Sequence, residues 1–95
     1  MIYERLQVGR ENARSAIELA EELHTDLRGI AMLVREERMA GKPICAACSR
    51  KTPGYYIPAT REEMAQYCVT LQRKASALVD TFVLCTKAMR HMERK

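Results

Sequence analysis

The strongest constraint in this sequence lies in its last third. From Arg61 to Glu93 there is neither Gly nor Pro. Within that run Met64, Cys68, Leu71, Ala75, Leu78, Phe82, Cys85, Met89 and Met92 recur at spacings that alternate between four and three residues. An apolar repeat of that period is a heptad, so it predicts one long helix that supercoils left-handedly against any partner helix. Thr60-Arg-Glu-Glu63 precedes it and reads as a capping box. A helix from residue 60 to 93 is about 50 Å long. The rest of the chain would form a body only about 20–25 Å across, so much of the helix is expected to project beyond that body. Tyr67, Val79, Val83 and Ala88 widen the stripe, and few flanking positions are charged. That pattern favours packing in a small bundle over a narrow two-stranded coil. The simplest partner is a second copy of the chain, with Met64, Cys68, Leu71, Leu78, Phe82, Cys85 and Met89 as the expected dimer interface.

A chain of 95 residues has room for one domain with a modest core. Its hydrophobic fraction of 47% excludes a disordered chain. No apolar run is long enough to span a membrane, and Met1–Arg10 lacks the apolar core of a secretion signal. A cytoplasmic, reducing location is therefore expected, without a disulfide framework. The net charge of +4 is uneven. Residues 1–24 are net acidic, whereas 25–52 and 53–95 are both net basic. A basic centre next to an acidic segment suits a polyanion, and equally suits an ordinary solvated surface.

Ile2, Tyr3 and Leu6 form a short apolar turn that ends near Gly9. Ser15-Ala-Ile-Glu18 is a second capping box, opening a short helix with Ala16, Leu19, Ala20 and Leu23 on one face. That helix is expected to stop around His24. Thr25 is the candidate N-cap of the next helix, which runs over 26–40 and stops at Gly41 and Pro43. With almost no linker, the two helices must cross at a large angle, as in a helix-turn-helix. Pro43–Ala46 and Tyr55–Ile57 read as two strands of a β-hairpin around a basic loop.

This order resembles the winged helix-turn-helix proteins and domains of bacteriophages and prophages. The resemblance covers roughly residues 2–75. It begins at Gly9-Arg-Glu-Asn-Ala13, passes through the capped helix Ser15–Leu23, and continues over Arg28, Ile30, Val34 and Arg38. It ends in Gly41-Lys-Pro-Ile-Cys45, Gly54-Tyr-Tyr-Ile57 and the capped helix with Glu63. The fold it implies is mainly α with a small β-hairpin, a winged helix-turn-helix body over 1–59 with its wing at 43–58. A long C-terminal dimerisation helix over 60–95 follows. Three positions depart from the family pattern. Glu37 stands where these domains usually place leucine, which suggests a shifted or bent recognition helix. Gly29 lies inside that helix, and the loop from Cys45 to Gly54 is longer than the usual short wing.

The resemblance implies binding of double-stranded DNA, with helix 26–40 in the major groove and the wing beside it. Helical spacing turns Leu27, Ile30, Ala31 and Val34 toward the core, leaving Arg28, Met32, Arg35, Glu36 and Met39 outward. The candidate DNA-binding residues are Arg14, Arg28, Met32, Arg35, Lys42, Arg50 and Lys51. Arg28 and Arg35 are placed for base edges or phosphates, and Arg14, Lys42, Arg50 and Lys51 for phosphates. Glu36 and Glu37 add negative charge close to the same surface. A role in transcription regulation or replication of mobile-element DNA follows from the resemblance.

Cys45 and Cys48 form a C-x-x-C pair with no second pair to complete a zinc site. Cys68 and Cys85 lie on the seam, and His24 and His91 have no nucleophile or carboxylate set around them. No metal, no cofactor, no membrane partner and no enzymatic activity are expected. The alternative reading is a protein-interaction module, in which the winged helix is a scaffold and the long helix docks a replication, assembly or regulatory partner.

Overall fold

The computed structural model describes residues 1–48 and 53–93. It is mainly helical, with a small three-stranded antiparallel sheet. Two 3-10 turns, Tyr3–Arg5 and Arg10–Asn12, open the chain. Strand β1 (Arg14–Ser15), helices α1 (Ala16–Glu22) and α2 (Leu27–Met39), strands β2 (Cys45–Cys48) and β3 (Pro53–Tyr56) and helix α3 (Arg61–Glu93) follow. The chain divides into two units, Met1–Met64 and Ala65–Lys95.

In the first unit, Ser15 caps α1 as its sequence requires, but the capping box does not close. The Ser15 hydroxyl accepts from the Ile17 N–H at 3.1 Å, while Glu18 turns to Arg14 instead of reaching back. Ala16, Leu19 and Ala20 are buried on the expected face. The helix ends in a left-handed residue, His24, at φ 53°. The Thr25 N–H donates to the Ala20 carbonyl and the His24 N–H to that of Glu21, which is a Schellman stop with histidine where glycine is usual. The N-cap of α2 is Asp26, not Thr25: its Oδ1 accepts from the Gly29 N–H at 2.8 Å. A carboxylate here also meets the positive end of the helix dipole. Gly29 has a steric reason, since a Cβ there would run into Thr25 Oγ1. Gly41, at φ 95°, closes α2 with the same two-bond stop, from Gly41 N–H to Arg38 and from Lys42 N–H to Glu37.

The buried stripe of α2 differs from the expected one. Ile30 and Val34 are buried, but Leu27 and Ala31 are exposed, and the third buried position is Glu37. Rotating the stripe from Leu27 to Glu37 lets the helix receive the N-terminal turn. The Glu37 carboxylate accepts from the Ile2 N–H at 2.7 Å and from the Tyr3 N–H at 2.8 Å. Those are orphan amides at the start of the first 3-10 turn, capped from 34 and 35 residues away. Glu37 is therefore an internal cap, and within α2 Glu36 is left as the exposed carboxylate. The core beneath joins Ile2, Leu6, Ala16, Leu19, Ala20, Ile30, Val34 and Ile44.

The expected two-stranded hairpin is a three-stranded sheet of order β1-β3-β2. β2 starts at Cys45, two residues later than expected, and pairs Cys45 with Tyr56 and Ala46 with Tyr55. β1 pairs Arg14 with Tyr55 and Ser15 with Gly54 on the other edge of β3. Two residues carry no alternation to read, so this strand is invisible in the sequence. Gly54 permits its close approach, because a Cβ there would lie 3.3 Å from that of Ala13. The Gly9 and Ile57 amides complete the edge, bonding to the Ile57 and Gln7 carbonyls.

At the start of α3 the Thr60 hydroxyl accepts from the Glu63 N–H at 3.1 Å. Among the described residues no reciprocal bond from the Thr60 N–H to Glu63 accompanies it, and Glu63 Oε1 is buried without a hydrogen-bond partner. In the second unit α3 continues unbroken to Glu93, as the heptad run predicts.

Two stability outcomes are expected. Glu37→Leu leaves two amides without their acceptor and should cost about 2–4 kcal/mol in denaturant unfolding, with Glu37→Gln losing roughly half as much. His24→Gly removes the Cβ penalty at a left-handed position and should raise stability by about 0.5–1 kcal/mol.

Candidate nucleic-acid interface

The cap made by Glu37 fixes how α2 is rotated. Ile30, Leu33, Val34 and Glu37 face inward, which turns Arg28, Met32, Arg35 and Met39 to the opposite side. At 3.6 residues per turn these four fall within about 60° of arc and extend over about 16 Å. Met32 is 56% exposed and Met39 78%, and Arg28 and Arg35 are exposed beside them. Met32, Arg35, Glu36 and Met39 line one shallow depression. Among the described residues, neither Arg28 nor Arg35 has an ion-pair partner. This stripe therefore offers two charged forks that alternate with two adaptable apolar side chains.

The other candidate contacts are placed differently. Arg14, in β1, ion-pairs with Glu22 at 2.8 Å and Glu18 at 3.8 Å, and donates to the Arg5 carbonyl at 3.2 Å. Its charge is thereby committed to the acidic face of α1, and a phosphate there would compete with two carboxylates. Lys42 is exposed just beyond the end of α2, its Nζ 5.2 Å from the centre of the Tyr3 ring. Arg50 and Lys51, the wing contacts, lie outside the described residues.

Of the expected interface positions, Cys68, Leu71, Leu78, Phe82, Cys85 and Met89 are exposed in the single chain. Met64 belongs to the first unit, half-buried with its Sδ 3.5 Å from the Cys45 sulfur. Cys45 is fully buried, and the Cys48 side chain lies outside the described residues. Among the described residues no three His, Cys, Asp or Glu side chains gather as a metal site. No described helix is long and apolar enough to cross a membrane.

Two features escaped the sequence reading. A glutamate three residues after Val34 and seven after Ile30 stands on the buried stripe, and that spacing was the available signal for Glu37 as an internal cap. The second is the buried Tyr56, paired across the strands with Cys45 and close to Glu63. Burial raises its phenol above the ordinary range, and the neighbouring Cys45 and Glu63 push it further up. No sequence signal announces that cluster, because its members meet only through strand register.

No protein-family model matches the chain, and no curated protein or solved structure matches it significantly.

Because the folded state holds the Tyr56 proton more tightly than the unfolded chain does, its contribution is complete below the unfolded tyrosine pKa of about 10. It is then lost as pH rises through the higher folded value. Urea unfolding across that alkaline range should show falling stability in the wild type and a shallower fall in Tyr56→Phe.

Proposed function

We propose that this chain binds double-stranded DNA as a winged helix-turn-helix protein, laying α2 in the major groove with the β2–β3 hairpin as the wing. One observation carries the reading: the exposed Arg28-Met32-Arg35-Met39 stripe on the second of two tightly joined helices. The width of a B-form major groove admits such a helix, and an arginine fork matches the O6 and N7 of guanine or a phosphate. The antiparallel order β1-β3-β2 supports the reading as well, since it sets a hairpin beyond the helix pair. The basic balance of residues 25–52 supplies long-range attraction to a polyanion. On this reading the protein acts in transcription regulation or replication of phage-type mobile DNA, in the cytoplasm and without catalysis.

Mechanistically, attraction would bring the duplex to the basic segment, and Arg28 and Arg35 would then read or clamp it. Lys42 would reach a flanking phosphate. Arg14 would serve mainly to hold β1 against α1. A second reading, a protein-docking module, draws on the exposed apolar side chains along α3.

A duplex titration against salt separates the two. The DNA reading expects affinity to fall steeply with salt and Arg35→Ala to cost about 1–3 kcal/mol, or to lower the salt slope by about 1 if the contact is a phosphate. Arg14→Ala should change affinity far less than Arg28→Ala or Arg35→Ala. Absence of binding to mixed-sequence duplex at low salt would sink the proposal and favour the docking module.

A further inference from the structure

Helix α3 leaves Leu71, Leu78, Val79, Phe82, Val83 and Met89 exposed in the single chain, with Leu78 at 71% and Phe82 at 69%. Plotted at 3.6 residues per turn, the seam from Cys85 through Leu78, Phe82 and Ala75 to Val79 occupies about 120° of arc. Arg73, Asp80, Lys87 and His91 gather on the opposite side. Along this seam Leu71, Leu78, Val79, Phe82 and Met89 keep between 42% and 71% of their surface exposed, a continuous apolar stripe of the kind that marks an interaction surface.

We infer that this face is covered by a second copy of the same chain, α3 against α3. Charge decides between a copy and a different partner. Coiled-coil pairs that select a foreign partner do so through charged side chains flanking the seam. Here the flanks from Ala65 to Ala88 are Ala65, Tyr67, Gln72, Lys74, Val79, Thr81, Thr86 and Ala88, of which Lys74 alone is charged. Heptad geometry sets Lys74 opposite Val79 of the other copy in a parallel pair, and opposite Thr81 in an antiparallel pair whose helices overlap over their full length. No like charges meet in either of these arrangements, so the seam is complementary to itself and carries no charge code for anything else.

Sedimentation equilibrium of the full chain over a wide concentration range tests this. The wild type should show at least twice the mass of one chain at its upper end. Leu78→Asp and Phe82→Asp should each raise the dissociation constant at least about a hundredfold, because the interface would then bury an unpaired carboxylate. Both side chains are largely exposed in the single chain, so neither change removes a contact that the fold needs. Lys87→Ala, on the polar side, should leave the mass unchanged. A wild type that is monomeric at every concentration overturns the inference, and so do aspartate variants that assemble as the wild type does. The outcome is independent of duplex binding: an oligomer that ignores DNA leaves this inference standing and defeats the other.

Discussion

The buried carboxylate of Glu37 is the interaction on which the first unit depends. It accepts two backbone N–H bonds from the opening turn, at 2.7 and 2.8 Å, and so ties the start of the chain to the last full turn of α2. Without an acceptor there, Ile2 could enter the core only by leaving those amides without partners, at a cost comparable to the gain from burying its side chain. With it, Ile2 and Leu6 close over Leu19, Ile30, Val34 and Ile44 as one apolar cluster. The bond also sets the rotation of α2, since the side that carries Glu37 must face inward.

That rotation decides which charges the outer side of α2 presents. The side of α2 opposite Glu37 is where Arg28, Met32, Arg35 and Met39 emerge, and Glu36 is the single exposed carboxylate among residues 27–39. Glu37 is thereby withdrawn from the exposed surface and used internally. Arg14 is the converse case. The sequence offers it as a free cation, but α1 places Glu18 and Glu22 on the side that β1 faces, and the guanidinium is spent on them. The local charge of a surface therefore follows from which ions the fold pairs, and cannot be read from a count along the chain.

The two units were legible in the sequence to different degrees. α3 could be read in full because its information is local and repeated: each turn restates the same spacing, and neither Gly nor Pro interrupts it. The helix stops at His24 and Gly41 were legible too, as a junction and as a Gly/Pro signal. The sheet was only half legible. Its β2–β3 pairing shows as two short extended runs, whereas β1 is two residues long and exists only because β3 offers an open edge and Gly54 leaves room.

By itself, then, the sequence determined the long heptad helix, the two tightly joined helices ahead of it, the caps at Ser15 and Thr60, and the outward direction of Arg28, Met32, Arg35 and Met39. These depend on neighbours within one or two turns, which the chain carries with it. Only the tertiary structure decided that Glu37 is a cap and not surface charge, that Asp26 displaces Thr25, and that Leu27 and Ala31 yield their places in the core. It also decided that Arg14 is paired and that Tyr56 lies against Cys45 and Glu63. Each of these depends on a partner distant in sequence or on strand register. A polar side chain acquires its role from whichever donor or acceptor the fold brings within about 3 Å of it.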